Sequence, residues 1–425
     1  MKVTRFDWNG EDPAGLAAEM RDLQPRLTEV RDAVAEIIAA VEADGDEAVL
    51  RFEERYGGVA PRALRIPEAE LKAARTGVDE DLARAIGKSI ENVHQVAEAE
   101  VMTDQWSAGG DDFRTISHGS VPVAAAGVYV PGGAGAYVST AIMCCVPAQA
   151  AGVERIVLAT PPGQDGRVNS AILVAGVIAG ATEVYAMGGA QAIAAMGIGT
   201  ESVAKADLIV GPGNRYVQEA KRQLVGRVGI DTIAGPSELM VVADGAATPE
   251  HVALDLCAQA EHGDDGLLVL ATADPELLDG LLKKVEALAA ERESVQDVPL
   301  AAVKVPDLDA AAVLADVLAP EHLELSCEGA EELAGQVSYA GCVFVGPEAG
   351  TAFGDYAVGS NHVLPTGGAG RFTGPLSPRT FTRRTATVTI TPEGARELAP
   401  TVATLARAEG FPVHAESAEA RGPKK

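Results

Sequence analysis

The feature that most constrains the fold is the run from Gly127 to Val225, where short apolar stretches alternate with helical ones. GVYV, RIVLAT, TEVYAM and ADLIV each read as a strand, and STAIMCCVPAQAA, NSAILVAGVIAG, AQAIAAMG and NRYVQEAKRQLV as the helices between them. Repeated strand-then-helix closes as a parallel sheet with helices on both faces. A second series follows AGPSE: LMVVAD, a helix to His262, GLLVLAT, a helix around Leu277 to Leu288, AAVKV, a helix near Leu308 to Leu318, HLELS and CVFVG. The expected class is α/β: two Rossmann-like doubly wound parallel-sheet modules plus small N- and C-terminal helical and tail elements. The first module is inserted within the second or set beside it.

At 425 residues the chain exceeds one ordinary core. Upstream of the sheets, Val30, Val34, Ile37, Ile38 and Val41 form a helix stripe, and a second stripe runs from about Leu82 to Val96. Both suit a covering or dimerising layer. With 34 basic against 61 acidic residues the net charge is -27, which repels phosphate backbones and anionic membranes, so nucleic acid is excluded as a partner. MKVTRFDWNGEDPAG has no apolar core of a signal peptide, and no stretch reaches the length of a membrane span. A cytoplasmic protein is expected. Five Cys (Cys144, Cys145, Cys257, Cys327, Cys342) lie in apolar runs without C-x-x-C spacing and read as reduced core residues.

Doubly wound sheets bind ligands at the carboxyl ends of their strands. Three Gly-rich turns sit there, VYVPGGAG, YAMGGAQ and IVGPGN. None is G-x-G-x-x-G, so the standard dinucleotide fingerprint is missing, but three such turns on one edge point to a nucleotide or polyanion. Gln259 and His262 share a helix face at i, i+3 just before Gly263. That is the pattern of an ordinary helix end with a left-handed Gly cap, and equally of two ligands aimed at one ion. Glu321-His322 in APEHLEL is an adjacent acid/base pair at a helix-to-strand junction. His362 lies seven residues after Asp355 in the Gly- and Pro-rich stretch 346–378, which is long for an idle connection. His94, His118 and His251 read as surface or structural. FTRRTATVTIT then reads as a strand, PEGARELAPTVATLARAEG as a helix, and AESAEARGPKK as a frayed end.

YVPGG (129–133), GGAQAI (188–193), GPGNRYV (211–217), AGPSE (234–238), QAEHG (259–263), APEHLEL (319–325) and GDYAVGSNHVLPT (354–366) together resemble the histidinol dehydrogenase family, in order and spacing, over nearly the whole chain. The resemblance implies two NAD-dependent oxidations of L-histidinol to L-histidine by a Zn²⁺-bearing homodimer. It implies that Gln259, His262, Asp355 and His414 bind the metal, with His414 reaching in from the other subunit. Glu321 and His322 are the implied bases, His322 for the alcohol and Glu321 for the aldehyde hydrate. Ser237, Ser139, His362 and Glu409 line the implied substrate pocket together with Gln259, His262, His322, Asp355 and His414, and Tyr129, Gln191 and Asn214 match NAD-contacting positions. Ala134 and Val138 stand where many members carry Arg and Pro, and AAAGVYV lacks a charge often found before this strand. The alternative is a paralogous dehydrogenase of another small polar alcohol, such as a sulfonated propanediol. The implied domains are 1–25 as an N-terminal arm, 26–126 with 235–376 carrying metal and catalytic residues, 127–234 binding NAD, and 377–425 as a tail swapped across the dimer.

Overall fold

The structure, a computed structural model, describes residues 1–25, 29–101, 112–132, 135–295 and 297–422, and the backbone of 106–107. Gly133 and Ala134, singled out in the sequence, lie outside them. The strands are β1 (Lys2–Asp7), β2 (Trp106–Ser107), β3 (Arg114–Pro122), β4 (Ala125–Tyr129), β5 (Arg155–Thr160), β6 (Glu183–Ala186), β7 (Leu208–Val210), β8 (Gly229–Ile230), β9 (Glu238–Ala243), β10 (Leu267–Thr272), β11 (Pro299–Lys304), β12 (His322–Ser326), β13 (Cys342–Val345) and β14 (Thr382–Ile390).

The first βα series forms a five-stranded parallel sheet in the order β6-β5-β4-β7-β8. The second forms a six-stranded parallel sheet, β1-β11-β10-β9-β12-β13. In each, the first strand of the series lies inside, its second and third extend to one side, and its fourth and fifth to the other, which is the doubly wound arrangement. Because β1 joins the second sheet from the start of the chain, the first module is an insertion within the second. The strands read as continuous Val, Leu, Ile and Ala, since both faces are covered: all six residues of β9 and of β10 are buried.

The helix Arg31–Asp44 buries Val34, Ile37, Ile38 and Val41, the expected stripe, and packs with Asp46–Phe52 on the first module's helices Gly189–Ile198 and Arg215–Leu224. In Glu80–Glu100 the buried residues are Ile86, Ser89, Val93 and Ala97, while Leu82 and Val96, the ends of the expected stripe, are exposed. Backbone contacts separate two compact units, 1–100 with 124–381, and 101–123 with 382–425. Within the second unit β14 pairs antiparallel with β3 from Thr382↔Pro122 to Ile390↔Arg114, and the helix Pro392–Ala408 packs on a further helix, Pro412–Glu419. The frayed end expected from Ala415 is therefore corrected up to Glu419. Pro412 opens that helix, Ala415 is buried with Ala403 and Ala406, and Arg407 pairs with Glu419 at 2.8 Å. Among the described residues no helix is long and apolar enough to cross a membrane.

Leu270 is fully buried in β10, inside the second core. Leu270→Ala is expected to lower stability by about 2–5 kcal/mol in denaturant unfolding. Val313→Ala, at a half-exposed helix position, should stay within about 0.5 kcal/mol, and equal losses would contradict this layering.

Candidate functional site

Two adjacent parallel strands bring the AGPSE and APEHLEL segments together. β9 begins at Glu238 and β12 at His322, and their register sets His322 opposite Leu239, so Ser237-Glu238 and Glu321-His322 lie side by side. The helix Pro249–Gln259 leaves β9 and runs back along the sheet, returning Gln259 and His262 to the same end. This is the amino edge of the second sheet, whereas the Gly-rich turns follow the carboxyl ends of the first. The junction before Glu321 is tight: Ala319 closes the helix Leu308–Leu318 at φ 48, a left-handed conformation costly for a residue with a Cβ.

The side chains here form a directed chain of hydrogen bonds. Glu321, buried, accepts from the Ser237 hydroxyl and from the Glu238 N–H at 2.9 Å. An ionised carboxylate only accepts, so Ser237 gives up its hydrogen and its oxygen accepts from Gln259 Nε2 at 2.5 Å. Gln259 Oε1 then remains, buried and without a partner among the described residues. His322 sets Nδ1 3.5 Å from Glu321 and Nε2 3.6 Å from Asp355, and His262 Nε2 is 3.9 Å from the other Asp355 oxygen. His362 Nδ1 lies 2.8 Å from the Asp355 carbonyl.

Charge follows this geometry. Burial acts to raise the Glu321 carboxyl, but the neighbouring His322 and the hydrogen bonds from His322, Ser237 and Glu238 hold it below its usual range. Burial likewise opposes His322 charging, yet Glu321 and Asp355 lift its pKa well above the ordinary value. Asp355 facing His262 raises that imidazole too. Asp355 itself is depressed, against its burial, by His262 and His322, while burial lowers His362.

Gln259, His262 and Asp355 thus converge, and the unpartnered Gln259 Oε1 with one imidazole and one carboxylate fits a Zn²⁺ donor set. Among the described residues no three His, Cys, Asp or Glu form a metal cage by themselves. His414 and Glu409 belong to the second unit, His414 on the helix Pro412–Glu419 with its ring 5.5 Å from Phe411, and Glu409 as the C-cap of Pro392–Ala408. Gly263 departs from the expected cap: Ala260–His262 form a 3-10 turn and Gly263 takes φ 140, ψ 166, outside the left-handed helical well, because the chain extends there toward β10.

Sequence reasoning missed Glu324, two residues after His322 on the same strand face. It accepts the Thr351 N–H at 2.8 Å and so caps the helix Thr351–Tyr356 that carries Asp355. A carboxylate inside the apolar run HLELS was the available signal. The loop 346–378 is anchored at Asn361, which donates to the Met143 carbonyl at 2.7 Å on the helix Val138–Ala150, whose first turn holds Val138 and the half-buried Ser139.

On the first sheet, the turns after β4 and β7 flank the point where strand order reverses. Gly211 has φ +114, and a Cβ there would lie 2.2 Å from the Tyr129 carbonyl, so only Gly serves. The buried Lys221–Asp231 ion pair grips it from both ends: Lys221 Nζ donates to its carbonyl at 3.0 Å and Asp231 accepts its N–H at 2.8 Å. Asn214 caps Arg215–Leu224 through Oδ1, which leaves its NH2 as the end able to meet a ligand. The Tyr129 hydroxyl accepts from Gly189 N–H at 3.0 Å, and burial pushes its pKa up to about 12. Gln191 is 4% exposed beside them. All five cysteines are free thiols with pKa values raised by burial, Cys145 to about 12, unsuited to nucleophilic work.

The sequence model of the histidinol dehydrogenase family matches residues 21–422. The chain is 41% identical over 401 residues to the histidinol dehydrogenase of Pseudomonas savastanoi pv. phaseolicola, covering 92% of this chain and 89% of that one. It is 43% identical over 401 residues to that of Haloarcula marismortui, with 92% and 93% covered. The crystal structure of histidinol dehydrogenase from Elizabethkingia anophelis superposes with a TM-score of 0.90 at 30% identity, over 99% of this chain and 98% of that one.

Burial, and then the Asp255 carboxylate, raise Glu324 from 4.5 to about 8. A folded-state pKa above the unfolded one gives stability that is full below pH 4.5 and lost as pH rises through about 8. Glu324→Gln, which keeps an acceptor for Thr351, should therefore lose less Tm than the parent between these limits. Parallel Tm–pH curves would contradict a protonated Glu324.

Proposed function

The chain belongs to the histidinol dehydrogenase family, and from that premise we propose that it oxidises L-histidinol to L-histidine through the aldehyde, using NAD and Zn²⁺. The observation that carries this reading is the chain Gln259→Ser237→Glu321 beside His322 and Asp355, which leaves the Gln259 amide oxygen buried and, among the described residues, unpaired, with the His262 imidazole 3.9 Å from the Asp355 carboxylate. Gln259, His262 and Asp355, with His414 of a second copy, would hold the metal. When bound, zinc orients the imidazole and amino nitrogens of the substrate and NAD accepts hydride in each oxidation.

The remaining work falls to the chain's own groups. His322 takes the hydroxyl proton at Nε2 in its neutral form, with the Nδ1 proton directed at the Glu238 carbonyl 3.3 Å away, and the Glu321 and Asp355 carboxylates then favour the charged ring that results. Glu321 takes a proton from the water that hydrates the aldehyde, kept ionised for this by Ser237, the Glu238 N–H and His322. Ser237, Ser139, His362 and Glu409 position the substrate. Residues 127–234 bind NAD through Tyr129, Gln191 and Asn214, and residues 377–425 exchange across a homodimer, bringing Glu409 and His414 to the partner's site.

Limiting L-histidinol should yield two NADH per molecule, abolished by a chelator and restored by Zn²⁺. No NADH from zinc-replete protein would overturn the substrate assignment. His322→Asn should slow both oxidations by about 10²–10⁴-fold with zinc retained, whereas Glu321→Gln should chiefly slow the aldehyde step; equal slowing on an aldehyde substrate would contradict that division. His414→Asn should lower zinc content, and mixing it with a His262→Asn variant under subunit exchange should recover activity if the ligand crosses the interface.

A further inference from the structure

We infer that Glu53 is a positioning residue for the nucleotide turn, holding the Gln191 amide so that its carbonyl oxygen rather than its NH2 faces the dinucleotide; this rests on the assignment of Gln191 to the NAD site. Glu53 is 2% exposed and takes no part in the chemistry above. It directly follows the helix Asp46–Phe52 and continues the buried face of Ala48, Val49 and Phe52, so a carboxylate occupies an apolar stripe. Its Oε1 accepts the Gly188 N–H at 2.7 Å and Gln191 Nε2 at 2.8 Å.

This contact dictates the polarity of the amide. An oxygen on which two N–H groups converge is acting as an acceptor, and a carboxyl that gains a proton can carry it on the other oxygen. The near end of Gln191 is therefore NH2 in either state of Glu53, and among the described residues no donor reaches Gln191 Oε1. The turn is drawn in so closely that a Cβ on Gly188 would lie 2.6 Å from Pro161 Cβ, and one on Gly189, at φ +59, would lie 2.9 Å from Gln191 Oε1.

The ligand chemistry follows. A helix N-terminus after a Gly-Gly turn ordinarily offers free N–H groups to phosphate. Here the Gly188 N–H is given to Glu53 and the Gly189 N–H to Tyr129, and a buried carboxylate lies beneath. This turn offers an acceptor, so it takes a hydrogen-bond donor of the dinucleotide, a ribose hydroxyl or the carboxamide NH2, and the pyrophosphate lies elsewhere.

The test compares Glu53→Gln, Glu53→Leu and Gln191→Ala in zinc-replete protein, reading KM for NAD, kcat and zinc content. Glu53→Gln keeps one oxygen able to accept both the Gly188 N–H and Gln191 Nε2, so KM for NAD should stay within about threefold of the parent. Glu53→Leu removes the acceptor and frees the Gln191 amide to turn its NH2 to the ligand, and KM for NAD should rise about tenfold, the scale of one hydrogen bond, with kcat within about twofold. A raised KM for Gln191→Ala with an unchanged KM for Glu53→Leu, or a rise as large in Glu53→Gln as in Glu53→Leu, overturns the role of Glu53. No change in Gln191→Ala removes the assignment of Gln191 to NAD instead. Should Glu53→Leu fail to fold, Glu53→Asp, whose carboxylate falls one methylene short of both donors, takes its place with the same expected rise and the same overturning result.

Discussion

The amino edge of the second sheet depends on a carboxylate that must be paid in hydrogen bonds. Glu321 is 8% exposed, and an ion in such a place persists only if donors replace its water. The Ser237 hydroxyl, the Glu238 N–H and His322 supply them. Because that acceptor sits at the end of the chain, every bond behind it has one direction, and Gln259 ends with its oxygen buried and, among the described residues, unpaired. The proposed ligand atom, two hydrogen bonds away from the Glu321 carboxylate, is thus set by charge satisfaction, and so is the tilt of His322 between Glu321 and Asp355.

The same device recurs away from this edge. Glu53 orients Gln191, Glu324 caps the helix bearing Asp355, and Asp231 with Lys221 clamps Gly211. Each buried acid ties a loop N–H to a rigid helix or strand. Isolated surface pairs are weak and hold little in place, whereas a buried acid left without its donors is costly, so these loops have few alternatives. Gln191 and Gln259 are treated alike: the NH2 end is consumed by an acceptor of the protein and, among the described residues, the carbonyl oxygen is left unpaired, in one case for the proposed cofactor and in the other for the proposed metal.

The two sheets share a winding order but use opposite edges. In the first, the turns after β4 and β7 straddle the reversal of strand order at the carboxyl ends. In the second, Ser237 and Glu321 precede their strands, and the helix to Gln259 returns to the amino end because a crossover helix runs against its strands. Proximity within this edge was not written in any local pattern. Gln259 and His262 are one turn apart and legible as a pair, but Asp355 lies 93 residues beyond His262, and only the order β9-β12-β13 brings its helix alongside.

The sequence by itself determined the βα alternation, hence two parallel sheets, because continuous apolar strands need helices on both faces. It also marked Gln259, His262, Glu321, His322 and Asp355, through motifs that resemble one family. It did not reveal Glu53, Glu324 or the Lys221–Asp231 pair, since a single charged residue in an apolar stripe has no local partner to announce it. It misjudged the last helix, whose stability comes from Ala415 packing on Ala403 and Ala406 and from an ion pair twelve residues long in sequence. Which end of each amide is left unpaired was decided only by the tertiary structure, because the carboxylate that fixes it arrives from a distant segment: Glu53 from 138 residues before Gln191, and Glu321, through Ser237, from beyond Gln259.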